Sequence, residues 1–368
     1  VSFQISNLKL QRFRNYEDKI FEFDPNVTIL WGSNAVGKTS TIEAIQVLCE
    51  ATSFRKPSYE DMIQHGEESA VLELSATDGE RTRDVTLIVE PHTKSYKVNG
   101  KKTTVSNGIL GIIPVIVFAP DNLSLVKDSA GKRRDEIDAL GQQLSKNYTR
   151  LLKEYSKALR GRNRLLSDGY CTDPAFDAWS DQLAAIGAVL YRNREKLLER
   201  LIPIVVQQYA SIDPEATLEV AYENNWGATA EDTTEEVEQK LRDALDDSFI
   251  DECARKITLV GPHRDDIVFR IDGHDVRSFG SQGQQRTVAL SWKLAEVSLI
   301  EEMLGVKPIL LLDDVMSELD ESRRNALMGR VGEAAQTIIT TTNIHYFETS
   351  LLDRARVIEI SSEKCRDG

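Results

Sequence analysis

Eight consecutive residues set the strictest limit on what this chain can fold into. Gly32-Ser33-Asn34-Ala35-Val36-Gly37-Lys38-Thr39, with Ser40 behind it, satisfies the pattern G-x-x-x-x-G-K-[ST]. Such a loop joins a strand to a helix, because its glycines let backbone N–H groups close on phosphate oxygens while the helix N-terminus turns its dipole toward them. Lys38 is then the side chain that reaches the β- and γ-phosphates, and the Thr39 hydroxyl is the Mg2+ ligand. The flanks agree with this reading: residues 27–31 are apolar, as a buried strand requires, and residues 41–48 place Ile42, Ile45 and Leu48 on one helical face. The expectation is an α/β fold that binds ATP.

A phosphate loop needs a carboxylate to hold its metal and position water. Pro308-Ile309-Leu310-Leu311-Leu312-Asp313-Asp314 is an apolar run ending in two acids, the pattern of a buried central strand that delivers charge to a site at its edge. Asp313 is assigned to Mg2+, directly or through water, and Asp314 to orienting or polarising the attacking water. Between loop and acids lies Phe279-Gly280-Ser281-Gln282-Gly283-Gln284-Gln285-Arg286-Thr287, then a helical pattern, so that a serine and a glycine open a helix suited to a γ-phosphate. Ser317-Glu318-Leu319-Asp320 follows the acidic pair.

These motifs, in this order and with the first two more than 240 residues apart, resemble the ATP-binding-cassette ATPases and, more narrowly, their chromosome-maintenance branch. Phe13-Arg14-Asn15-Tyr16, Ser53-Phe54-Arg55, Gly261-Pro262-His263-Arg264-Asp265-Asp266 and the segments around Ser281 and Asp313 are similar to the RecF family of bacterial recombination mediators. The resemblance covers roughly residues 3–135 and 255–345. It implies an ATPase head, a mixed sheet with the phosphate loop and an antiparallel subdomain, divided by a short helical arm. The expected division is residues 1–130 for the N-terminal part of the head, 131–212 for the arm and 213–368 for the C-terminal part.

The resemblance further implies a homodimer formed on ATP binding. One copy contributes the loop, Asp313 and Asp314, and the other contributes the signature residues Ser281, Gln282, Gly283, Gln284, Gln285 and Arg286. Ser317, Glu318, Leu319 and Asp320 form the loop after the acidic pair. Arg55 is a candidate phosphate ligand, since a guanidinium fork matches phosphate oxygens. His263 and Arg264 are candidates for nucleotide or for the junction of the two head parts. Two cassette features are missing: only Asp121 stands near a glutamine's usual place after residues 114–118, and Thr340-Thr341-Thr342 occupies the place of a switch histidine. Slow ATP turnover is therefore expected.

Composition bears mainly on DNA. The chain has 368 residues and a net charge of −14, which disfavours wholesale coating of nucleic acid and leaves room for a local basic surface. Residues 127–164 carry such a surplus, eleven Lys/Arg against five Asp/Glu, and Lys153, Arg160, Arg162 and Arg164 are the candidate contacts. The relatives implied by the resemblance bind double-stranded or gapped DNA and act with RecR and RecO to direct RecA. By contrast, residues 231–252 hold ten acids against two bases and read as a solvated helix face.

Cys49, Cys171, Cys253 and Cys365 are too scattered for a disulfide framework or a zinc site. No run reaches the roughly 18 apolar residues of a membrane span, so a cytoplasmic protein with no membrane partner is expected. Two other uses of such a head remain open on the residues alone, a transporter ATPase subunit and an ATPase coupled to a nuclease.

Overall fold

A computed structural model describes residues 2–104, 108–331 and 334–361. Cys365 lies outside them. Two compact units make up the chain, one of Val1–Ser124 with Ala289–Gly368 and the other of Leu125–Val288.

The first unit holds two sheets. Five parallel strands run in the order β14 (Arg356–Glu359), β3 (Val27–Trp31), β13 (Gln336–Thr341), β12 (Ile309–Asp313) and β8 (Val115–Phe118). All of β8 and β12, and all but the last residue of β3, are buried, which is why these strands read as continuous apolar runs rather than alternating ones. Six antiparallel strands form the other sheet, in the order β2 (Tyr16–Glu22), β1 (Gln4–Phe13), β4 (Ala70–Thr77), β5 (Thr82–Glu90), β6 (Thr93–Val98) and β7 (Lys101–Thr103). Here the sequence alternates: in β4 every second residue is buried.

Helix α1 (Lys38–Glu50) packs against β8, β12 and β13 on one side and against β4 and β5 on the other. Burial on all sides follows, and eleven of its thirteen residues are inaccessible, well beyond the single face of Ile42, Ile45 and Leu48. Gln336 ties the sheets together by accepting from Ile5 N at 2.7 Å and donating to Ile5 O and Asp24 O, both at 2.8 Å.

The first unit also holds the short α2 (Tyr59–Met62); in the second, α3 (Ala130–Leu144), α4 (Lys146–Asp168) and α5 (Pro174–Ile212) are joined by short turns, and the short α7 (Phe249–Arg255) and α8 (Val276–Phe279) lie further along the chain. Gly169 ends α4 at φ 81°, and Asp173 caps α5 by accepting from Ala175 N at 2.8 Å. The division differs from the expected one, because residues 213–288 group with these helices. Strands β9 (Leu218–Glu223), β10 (Asp266–Ile271) and β11 (His274–Asp275) form a third, antiparallel sheet. Trp226 and the acidic helix α6 (Thr234–Asp247), through Val237, Leu241 and Leu245, share a core with Tyr148, Tyr155 and Tyr191. The acids of α6 face outward around that apolar stripe, as their composition implied.

The segment 261–266 is the knot of this second core. His263 Nδ1 lies 2.8 Å from Tyr155 OH, and Arg264 Nη2 donates to Thr258 O at 2.8 Å. Asp265 accepts from Tyr222 OH at 2.7 Å and from Trp226 Nε1 at 2.9 Å, while Asp266 pairs with Arg133 at 2.7 Å. Burial pushes the Asp265 carboxyl up to about 6 and the His263 imidazole down to about 4. Every hydrogen bond described for His263 and Arg264 stays inside this unit.

Candidate functional site

Strand order creates the site. β13 lies between β3 and β12, with Thr340 in register with Leu30 on one side and with Asp313 on the other. The phosphate loop leaves the C-terminal end of β3 and the acidic pair ends β12, so both emerge at the carboxyl edge of the sheet, where ligands of open α/β folds bind.

The loop backbone departs from ordinary geometry where the motif demands it. Gly37 has φ 108°, and a Cβ there would stand 2.5 Å from Tyr16 OH and 2.9 Å from Asn15 Nδ2. Ala35 takes the left-handed region at φ 66°, a conformation that L side chains adopt only when the surroundings hold it. Gly32 sits against the carbonyl of Ile360, leaving no room for a side chain. Lys38 is buried and its Nζ donates to Gly32 O at 2.9 Å and Ser33 O at 2.7 Å, which curls the loop around its own ammonium group. Desolvation lowers the Lys38 pKa, against the pull of Asp314 and Asp313.

Thr39 Oγ1 donates to Asp313 Oδ1 at 3.0 Å, across 274 residues of sequence. Thr340 Oγ1 donates to the same oxygen at 2.7 Å, and Asp314 N donates to Thr340 Oγ1 at 3.0 Å. Asp313 is only 4% exposed, and burial raises its carboxyl pKa although both hydroxyls pull it down. Asp314 turns out of the strand at φ 48° and takes the Thr342 N–H on Oδ1 at 3.3 Å. It also lines a cleft of about 510 Å³ with Asn34, Lys38, Thr39, Ser40, Arg55 and others. That volume falls in the range of small-molecule sites.

A hydroxyl and a buried carboxylate in contact are hard oxygen donors of the kind Mg2+ takes. Among the described residues no group of three or more His, Cys, Asp or Glu could hold a metal by itself. A dedicated cage is also not what this ion needs, since it ordinarily combines one or two carboxylates with substrate phosphates and water. The residues therefore fit an ion that arrives with its nucleotide.

Several contributors to the cleft escaped the sequence reading as individual residues. Arg14, Asn15, Asp61, Ile63 and His65 line it. Arg14 is held by two hydrogen bonds to Glu43 at 3.1 and 2.9 Å, and Arg55 Nη1 lies 3.5 Å from the same carboxylate. Glu43 is fully buried on α1 and also accepts from Ser53 Oγ at 2.7 Å. Its charge thus holds two guanidinium groups in the lining of the cleft. Their only hint was the run of residues 13–16 and 53–55, which gave no sign that one glutamate serves both.

The other expected residues stand elsewhere. Ser281 is exposed in the second unit at the start of α9 (Gln282–Leu304), where Ser281 Oγ accepts from Gln284 N at 3.2 Å and Gln284 Oε1 accepts from Ser281 N at 2.9 Å. Gln282 is exposed; Gly283, Gln285 and Arg286 are half-buried. Ser317 Oγ donates to Asp314 O at 2.9 Å, Leu319 is buried, and Asp320 accepts from Arg323 N at 3.0 Å. Glu318 ends a short 3-10 turn.

One expected DNA contact is corrected. Arg162 is 1% exposed: its Nε donates to Ser180 Oγ and its Nη1 to Thr258 Oγ1, both at 2.9 Å, and its guanidinium lies 4.5 Å from the Phe176 ring centroid. Glu252 Oε2 stands 2.7 Å from Nη2, at ion-pair distance without hydrogen-bond alignment. Arg162 is an interior strut and reaches no ligand. Lys153, Arg160 and Arg164 are exposed.

Comparison with known proteins identifies the family and the fold. The family model described as the RecF/RecN/SMC N terminal domain matches residues 4–365. The chain is 37% identical over 363 residues to the DNA replication and repair protein RecF of Lachnoclostridium phytofermentans, covering 97% of each. It is 35% identical to the protein of the same name from Thermosynechococcus vestitus, covering 97% of this chain and 96% of that one. Among solved structures it is similar to the recombination mediator protein RecF in the RecFOR pathway, as RecF-ATPrS and as RecF-ATP. For each, the TM-score is 0.87 and the identity 31%, with 94% of both chains covered. An Smc head domain from Pyrococcus furiosus, at TM-score 0.56 and 15% identity, shares the fold.

Proposed function

Because the chain belongs to the RecF family, within the RecF/RecN/SMC N-terminal domain group, we propose that it is an ATP-dependent DNA-binding dimer that hydrolyses ATP slowly in the recombinational repair of gapped DNA. The observation that carries this reading is the contact between Thr39 and Asp313 in the cleft lined by Lys38 and Asp314. It joins the phosphate loop to the acid pair across 274 residues of sequence. The RecFOR pathway named for the solved relatives supports RecR and RecO as the proteins it works with, and RecA is the protein this reading has them direct onto DNA.

The loop N–H groups bind the phosphates, and Lys38 exchanges its two carbonyl acceptors for β- and γ-phosphate oxygens. Thr39 and Asp313 would hold Mg2+, which would supply positive charge against the charge that develops on the transferred group. Asp314 orients the attacking water and accepts its proton. The carboxylate is short and already takes one N–H from Thr342, and a threonine rather than an imidazole stands beside it. Both features favour slow turnover. Ser281 and the N-terminus of α9 in a second copy complete the phosphate site. Nucleotide binding then contributes to dimer stability, and loss of the γ-phosphate releases it.

Asp314→Asn tests the assignment. It keeps the shape of the cleft and removes the proton acceptor, so ATP should still bind, hydrolysis should fall at least about 100-fold, and the dimer should persist on ATP. A variant with wild-type turnover removes Asp314 from the mechanism; wild-type protein turning over many ATP per second contradicts the slow reaction.

A further inference from the structure

Helix α4 sorts its positive charges. Lys146, Arg150, Lys153, Lys157, Arg160 and Arg164 are all exposed, at successive spacings of four, three, four, three and four residues. At 100° per residue these positions fall within an arc of about 80° and extend about 27 Å along the helix. The opposite arc, with Tyr148, Tyr155, Ala158, Arg162 and Leu166, is buried. Arg162, the one cation out of phase, is the one turned inward.

Within this stripe Lys153, Lys157 and Arg160 make no ion pair among the described residues. Arg150 and Arg164 have only loose partners on the same helix, Glu154 at 4.0 Å and Asp168 at 3.8 Å. Exposed pairs of this length hold their charges weakly. No apolar residue of α4 is fully exposed, so the surface lacks the buried anchor that a protein partner requires. A regular line of exposed cations on a chain of net charge −14 fits a regular line of anions. Duplex DNA offers about one charge per 1.7 Å of its axis.

From this we infer that the outer face of α4 is the element that tracks the DNA backbone, through Arg150, Lys153, Lys157, Arg160 and Arg164. The inference rests on the DNA-binding function proposed above and adds where and how the contact is made. Contact is to phosphates alone and hence independent of base sequence. Each cation engaged releases counterions, so affinity depends on salt with a logarithmic slope of about −0.9 per phosphate neutralised.

The test measures binding of the full chain, with ATP and Mg2+, to a short fluorescent duplex over a range of salt concentrations. Wild type is compared with Lys153→Gln/Lys157→Gln/Arg160→Gln and with a control on exposed residues of the other unit, Lys101→Gln/Lys102→Gln. The triple variant should bind on the order of 100-fold more weakly near physiological salt, with a slope shallower by about 2.7. Its ATP affinity and melting temperature should match the wild type, as should DNA binding by the control. Wild-type affinity and slope in the triple variant, or an equal loss in the control, overturn the role of α4 and leave ATP-dependent DNA binding standing. If the wild type itself shows no ATP-dependent affinity for duplex, the proposed function fails and the inference falls with it.

Discussion

Gly37 and Asp313 show how single residues trade stability for a binding site. At Gly37 a methyl group would meet Tyr16 and Asn15 at φ 108°, so Gly37→Ala must displace the loop whose N–H groups are proposed to bind phosphate. We expect at least a 100-fold loss of ATP affinity by titration calorimetry, with only about 1–2 kcal/mol of stability lost. Asp313 illustrates the reverse cost. Its folded carboxyl titrates above the ordinary value because it is buried, so the ionised form opposes folding at neutral pH. That penalty is absent below the unfolded pKa and is fully present above the folded one. Asp313→Asn can keep both hydroxyl contacts on Oδ1 while removing the charge, and should raise the melting temperature of nucleotide-free protein by about 2–4 °C. The same variant should lose Mg2+-dependent hydrolysis; an unchanged or lower melting temperature would show that the buried charge is not a cost. Both residues were legible in the sequence because their motifs are contiguous and each position has one chemical task. Thr340 was read only as standing in the place of a switch histidine, since its value lies in a contact 27 residues away that strand order alone creates.

Elements were read well where one face is buried and poorly where both are. The alternation of β4 and the apolar run of β12 announced their environments, and α4 and α5 lie within the stretch expected as a helical arm. α1 misled because Glu43 and Gln46 resemble a solvent face, yet both are buried with polar partners, Arg14, Ser53 and Arg55 on one and Phe54 N on the other. The excess of cations in residues 127–164 was visible as a number, but only helical phase separates Arg162 from its neighbours. This difference predicts opposite outcomes on one helix. Arg162→Ala strands the fully buried Glu252 without its countercharge and should destabilise the second unit by about 3–5 kcal/mol. Lys153→Ala should fall within about 0.5 kcal/mol of wild type. Chemical denaturation of the two variants checks this, and equal stabilities would contradict the interior role of Arg162.

For the whole molecule, a head of residues 1–130 and 213–368 was expected around the arm, and the two compact units depart from it after the helices. Residues 213–288 alternate strand and helix much as a head does; their packing on the helices of the second unit, with Trp226 and Leu241 in one core with Tyr155 and Tyr191, assigns them there. The signature helix α9 then begins in one unit and continues into the other. Ser281, exposed at its start, has a proposed task only if a second copy supplies the nucleotide. Dimerisation driven by ATP is therefore the central claim, and molar mass in solution tests it most directly. Light scattering on the size-exclusion eluate, run without nucleotide, with ADP, and with ATP on Asp314→Asn to prevent turnover, should give the mass of one chain in the first two cases and of two in the third. Added duplex DNA should co-elute only with the two-chain species. A single-chain mass with saturating ATP and duplex, or a dimer indifferent to nucleotide, would contradict the account.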